Sequence, residues 1–215
     1  MVTALEKVLD RLEAVEGAPD PLPATDGWAL VLRENVAYLV DDPTRDCAMA
    51  ALEREVGLAP EAILSASSAQ LAAVVAGMHP ADRAERLRRC AELRLSDAAW
   101  RSYPGIGRPG AERIELFSGS RAVLALESNG VRVLFRLGYG ERGRSYDATY
   151  RSVQAAAAAE LRATPPALQR AHQLLRRHGQ TVCRRTNPGC DECAVRRGCD
   201  AGEGRRPLTD PFGPS

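Results

Sequence analysis

Apolar side chains return every three or four positions along most of this chain, the spacing that lays them on one face of a helix. ALEKVLDRLEAV (4–15) is amphipathic, and a Pro-rich break follows at 17–27. WALVLRENVAYLV (28–40) is largely apolar, as a buried helix is. TRDCAMAALEREVG (44–57) continues the pattern and closes on Gly57. Short helices are expected at 60–66 and 68–77, and a longer one at 80–93. SDAAWRSY (96–103) reads as a helix capped by Ser96. Further helices are expected at 111–117, 128–137, near 147–162 and at 165–178. Strand signals are nearly absent: VLAL (123–126) is brief and has no alternating partner. The pattern therefore predicts an all-α protein. The Pro- and Gly-rich stretch after Cys199 predicts an extended or frayed tail over 201–215.

The chain has 215 residues, enough for one or two ordinary domains. No apolar run approaches the ~20 residues that span a bilayer, and the N-terminus does not read as a signal peptide. A cytoplasmic protein is expected, nucleoid-associated if bacterial. Net charge is only +1, but it is unevenly spread. Residues 1–60 are strongly acidic, whereas 161–215 hold ten Arg against five acids. That asymmetry permits a basic face without requiring one. Lys7 is the only lysine.

Four of the six cysteines crowd together as Cys183-x6-Cys190-x2-Cys193-x5-Cys199. Thiols this close can surround one inorganic centre with little loop-closure cost. Asn187, Pro188 and Gly189 supply turn chemistry between the first two. Cys₄ sets bind 4Fe–4S clusters or tetrahedral zinc. Zinc sites usually carry two C-x2-C pairs, and here there is one pair with two flanking single cysteines. A second signal is Tyr103-Pro-Gly-Ile-Gly-Arg-Pro-Gly110. Gly105 and Gly107 permit a tight turn and a close phosphate approach. The helix that follows would aim its N-terminal N–H groups outward, and Pro109 fits its first turn.

The cysteine spacing, preceded by LLRRHGQTVC (174–183), resembles the C-terminal cluster loop of endonuclease III and adenine DNA glycosylase. P-G-I-G-R resembles the helix-hairpin-helix motif of the same superfamily, and it lies about 80 residues before the cysteine loop, as in that family. The resemblance implies a two-domain architecture. Residues 23–134 would form a helical domain carrying the hairpin (96–118). Residues 1–22 and 135–200 would form an iron–sulfur domain, with a DNA cleft between the two. It implies a 4Fe–4S cluster on Cys183, Cys190, Cys193 and Cys199, structural rather than catalytic. It implies double-stranded DNA, damaged or mispaired, as the partner of a monomer. Gly105, Ile106, Gly107, Arg108 and Gly110 would meet the backbone at the hairpin, as would Arg184 and Arg185 in the cluster loop.

Family members that also nick DNA carry a lysine immediately after P-G-x-G-R. Pro109 holds that position here, and no neighbouring lysine can substitute. The family's catalytic aspartate lies about 18 residues further on. There ALESNGVRVL (125–134) resembles the adenine-glycosylase pattern L-D-G-N-V-K-R-V-L, with Glu127 on the aspartate and Asn129 near the asparagine. Glu127 is equally readable as a surface acid favoured at a helix start. Ungapped matching from Trp28 puts Leu39, with Tyr38, at the loop that fills the gap of an extruded base. A second such region falls on Met78 and His79. Leu39 and Tyr38 are also readable as core. Glu34, Asp41 and Asp42 lie in the same region without a settled role.

The resemblance thus implies a monofunctional DNA glycosylase of base excision repair. The alternatives are a non-enzymatic binder of distorted DNA and an abasic-site lyase that works without lysine.

Overall fold

The computed structural model describes residues 2–19 and 26–212. The expected domain boundary at 22/23 and the last three residues of the tail lie outside them. The described residues are helical nearly throughout, as the apolar pattern requires, and divide into two compact units. One comprises Leu22–Ile114; the other comprises Met1–Pro21 and Glu115–Ser215. The division falls after Ile114 rather than at the expected 134. The segment from Glu115 onward packs with the helices that follow it. Gln169 donates to the Leu116 carbonyl at 3.0 Å, and Phe117 meets the His172 ring edge-on at 5.2 Å. No helix among the described residues is long and apolar enough to cross a membrane.

The first helix of the chain, α1 (Ala4–Glu16), belongs to the terminal unit, and the central unit begins with α2 (Gly27–Asn35). Asp26 caps it by accepting the Ala29 N–H at 2.9 Å, and the Trp28 indole donates to the Leu58 carbonyl at 2.7 Å. The sequence predicts that this helix runs to residue 40, but it stops at Asn35. The chain instead forms β1 (Ala37–Tyr38), which pairs in parallel with β2 (Ala76–Gly77). An apolar run cannot reveal such a pairing, because its partner is remote in sequence. α3 (Asp42–Glu55), α4 (Pro60–Ser65) and α5 (Ser68–Val74) lie between the two strands.

Gly77 sits at φ 88°, and a Cβ there would stand 2.2 Å from the Tyr38 carbonyl oxygen. Both the backbone angle and the space exclude a side chain. Gly77→Ala is therefore expected to cost about 2–4 kcal/mol in urea unfolding. A loss below about 1 kcal/mol would mean that this bridge yields easily.

α6 (Pro80–Leu95) ends where a new helix was expected to begin. The Ser96 hydroxyl donates back to the Leu93 carbonyl at 3.0 Å, closing α6 instead of opening another helix. Asp97 then turns left-handed at φ 52°, and only a 3₁₀ turn, Trp100–Ser102, precedes the hairpin. The hairpin leads into α7 (Arg108–Phe117).

The terminal unit holds α1, whose Leu5, Leu9 and Leu12 are fully buried at helical spacing. Its Thr3–Glu6 capping box satisfies the first N–H groups. With α1 stand α8 (Ser128–Leu137), α9 (Tyr146–Ala158) and α10 (Pro165–Thr181). α8 and α10 meet closely at Gly179, where a Cβ would stand 2.7 Å from that of Asn129. Among the described residues the extended VLAL segment has no strand partner. Side chains replace one: Tyr150 accepts the Leu126 N–H, while Gln154 and His172 donate to the carbonyls of Leu124 and Ala125.

The tail is folded through Phe212, contrary to the expectation from its composition. The Arg206 guanidinium lies 4.4 Å over the Phe135 ring and donates to the carbonyls of Phe135 and Gly140. Phe212 stacks on Tyr146 with ring centroids 4.3 Å apart. Proline and glycine fixed the absence of a helix here, but long-range partners still order the segment.

Candidate functional site

The hairpin turn is built as its glycines require. Gly105 is left-handed at φ 73°, and the Ile106 N–H donates to the Tyr103 carbonyl at 3.1 Å. Ile106 is only 4% exposed and touches the Gly110 face of α7. Its side chain is therefore an anchor, and its N–H is used within the turn. Arg108 stands at the start of α7, with its guanidinium 3.7 Å from Glu112. The first-turn N–H groups of α7 have no helical acceptor, which is the usual anion-binding end of a helix.

The same unit brings together two loops that are remote in sequence. The β1–β2 pairing sets Tyr38 level with Gly77, and the chain leaves the two strands through Leu39 and Met78 respectively. Leu39 is 74% exposed and Met78 55%. Leu39 and His79 are both left-handed, at φ 54° and 60°. Leu39 and Tyr38 are thus not core residues: the left-handed turn after β1 throws Leu39 outward, and Tyr38 is 48% exposed. Arg83 lies 4.7 Å over the Tyr38 ring and donates to the Asn35 carbonyl. The neighbouring acids have local duties. Asp41 caps α3, and its hydrogen bonds with Thr44 hold its carboxyl below the usual range. Arg33 pairs with Asp42 and Asp46, and Arg113 pairs with Glu34.

In the terminal unit, Glu127 is the N-cap of α8. Its Oε1 accepts the Gly130 N–H at 2.8 Å, and its Oε2 accepts from the Asn129 side chain at 2.8 Å. Arg132 donates to Asn129 Oδ1 at 2.7 Å and also to the carbonyls of Gly179 and Cys183. One chain of hydrogen bonds therefore runs from the carboxylate to the backbone of the first clustered cysteine. Arg132 is 4% exposed, and burial lowers its pKa. Tyr146 is pushed up to about 12, first by burial and then by the charge of Glu127.

The four clustered thiols line one pocket of about 400 Å³, open mouth included, with Val133, Leu137 and Val195 among its walls. All four are free of disulfides. Arg136, fully buried on α8, donates to Cys183 Sγ at 3.3 Å and to the carbonyls of Arg184, Arg185 and Leu208. The Gly202 N–H points at Cys199 Sγ at 3.4 Å. His178, 2% exposed, lies with Nε2 3.6 Å from Cys193 Sγ and Nδ1 2.6 Å from Glu16. Burial, with neighbouring thiolates adding, raises the pKa of Cys193 and Cys199. A cationic centre among these sulfurs would reverse that balance. Among the described residues no three His, Cys, Asp or Glu side chains form a group that could hold a single metal ion. The other two cysteines stand apart: Cys47 is exposed, and Cys90 is buried with its thiol pushed up to about 12.

Arg184 and Arg185 both project from the cysteine loop with exposed side chains. Sequence reasoning missed Arg132, Arg136, Glu16 and His178. The signal available for the two arginines was their spacing of four within the otherwise apolar VRVLFRL.

No family model and no curated protein sequence matches the chain. Its fold is nevertheless the all-α fold of endonuclease III and related helix-hairpin-helix glycosylases. It is similar to endonuclease III trapped in a covalent intermediate with DNA, at 17% identity and TM-score 0.75, over 95% of this chain and 99% of that one. It is similar to a thermostable thymine-DNA glycosylase at 16% identity and TM-score 0.72, over 93% and 95%. A 3-methyladenine DNA glycosylase from H. pylori, bound to 1,N6-ethenoadenine, matches at 17% identity and TM-score 0.53, over 81% and 93%.

Proposed function

We propose that this chain is a monofunctional DNA glycosylase of base excision repair that removes a damaged or mispaired base from duplex DNA. The observation that carries this is the fixed carboxylate of Glu127, oriented by Gly130 and Asn129 in an endonuclease III fold. Hydrolysis breaks the C1′–N bond and forms a C1′–O bond from water. Glu127 stabilises the positive charge on the sugar and takes the proton that water loses. The base leaves with the electron pair of the broken bond and takes up a proton from solvent, while Glu127 returns the proton it took from water to solvent. A carboxylate has lone pairs beyond the two used here, so a water can still bind it. Pro109 holds the position of the family lysine and has no amine, so no Schiff base forms there.

The other parts serve binding. Gly105, Gly107, Arg108 and Gly110 meet a phosphate at the start of α7, with Ile106 as their anchor. Leu39 and Met78, with Tyr38 and His79, fill the space left by the extruded base. Arg184 and Arg185 touch phosphate from the cysteine loop.

Cys183, Cys190, Cys193 and Cys199 hold a 4Fe–4S cluster, which supplies structural closure of that loop. The donor set fits: four thiols ring one pocket, with N–H donors aimed at two sulfurs. A zinc ion would instead gather all four at ~2.3 Å from a single point.

The test is to incubate excess protein with duplexes carrying deaminated, alkylated, oxidised or mispaired bases and to assay free base by chromatography. Release from at least one duplex is expected; release from none would overturn the assignment. A second reading, a non-catalytic binder of distorted DNA, is favoured by one observation: both Glu127 oxygens are already engaged at the helix cap. It requires preference for abasic or mispaired duplexes with no turnover.

A further inference from the structure

The ordered tail touches one of the two loop arginines. Asp210 Oδ2 lies 2.6 Å from Arg185 Nε, and Asp210 Oδ1 accepts the Phe212 N–H at 3.0 Å. Both carboxylate oxygens are therefore committed, and the Asp210 side chain is only 11% exposed, while that of Arg185 is 63% exposed. Phe212 is fixed in turn by its stack on Tyr146. The Arg185 carbonyl is held from the other side by Arg136, which also takes the carbonyl of Leu208 in the tail. Backbone and Nε of Arg185 are thus both restrained.

A carboxylate on Nε leaves the two terminal amino groups of a guanidinium as the free donors, and these form the face that grips an anion in bidentate fashion. The carboxylate's charge is offset by Arg185 itself and by nearby Arg132. A free arginine would lose rotamer freedom on meeting a phosphate; one already aligned loses less.

We propose that Asp210 is a positioning residue for DNA binding: from the folded tail it orients Arg185 so that its outer amino groups meet a phosphate. This rests on the DNA-binding assignment above. The tail is then part of the binding surface.

The experiment titrates full-length protein against a duplex holding a stable abasic analogue, by fluorescence anisotropy over a series of KCl concentrations. Wild type, Asp210→Ala, Asp210→Asn, Arg185→Ala and the Arg185→Ala/Asp210→Ala pair are compared, with thermal unfolding recorded for each. Asp210→Asn can still accept the Phe212 N–H but drops the charge on Arg185, so it separates positioning from tail folding. Expected is about three- to tenfold weaker binding for both Asp210 variants. The slope of log K against log salt should fall by up to about one. In the Arg185→Ala background, Asp210→Ala should cost no more. Tighter binding by either Asp210 variant, or an undiminished loss in that background, overturns the inference. If wild type binds but Arg185→Ala binds equally well, this inference fails alone. If wild type binds no duplex, the DNA-binding assignment fails with it.

Discussion

Glu127→Gln is expected to slow base release at least about 100-fold while duplex affinity stays within about threefold. Gln keeps an oxygen that can accept the Gly130 N–H, so the cap of α8 survives and the helix start does not move. What disappears is the negative charge facing the developing cation, the base that takes water's proton, and the acceptor of the Asn129 side-chain N–H. The measurement is single-turnover release of base under excess protein, paired with anisotropy for binding. A rate unchanged within about threefold would leave Glu127 as a helix cap and nothing more. Unfolding temperature supplies the control, because a capping loss alone costs about 1 kcal/mol.

Arg136→Met is expected to be the most destabilising single change, at about 3 kcal/mol or more. Arg136 is 1% exposed and satisfies Cys183 Sγ and the carbonyls of Arg184, Arg185 and Leu208. Met fills much of the same volume but donates no hydrogen bond. The carbonyls of Arg184, Arg185 and Leu208 are only half-buried, so each one left without this donor costs at the low end, about 1 kcal/mol. Two consequences should appear together: a lower urea midpoint and, for the proposed cluster, loss of iron and visible colour on purification, since Arg136 holds one thiol of the cysteine loop and carbonyls of both loop and tail. Wild-type stability with full iron content would show that the loop closes without it.

The parts of this protein that rest on local rules were legible in the sequence. The Cys183–Cys199 spacing, the Gly105–Gly110 turn and the limits of α8 each depend on neighbours a few residues away. Glu127 was readable both as a helix-start acid and as a carboxylate candidate, and the structure places it at the cap. What depends on distant partners was not legible. The apolar run to residue 40 reads as helix because nothing near it announces that Ala37 will pair with Ala76. A serine hydroxyl serves either end of a helix, so Ser96 could be assigned only once the end of α6 was in view. Twenty-eight arginines make any one of them anonymous, yet Arg132 and Arg136 are interior and gather backbone carbonyls from Gly179 to Leu208. The tail's Arg206, Asp210 and Phe212 are ordinary in composition and gain meaning only from Phe135, Arg185 and Tyr146.

Strand chemistry decides most directly between a carboxylate working on water and an amine working on the sugar. A duplex from which the protein releases base should be incubated to completion and divided in three: one part run without further treatment, one heated in alkali, one incubated throughout with borohydride. The expected result is an intact strand in the first, cleavage at the abasic site in the second, and no protein–DNA adduct in the third. Nicking without alkali, together with a borohydride-trapped adduct, would contradict the account.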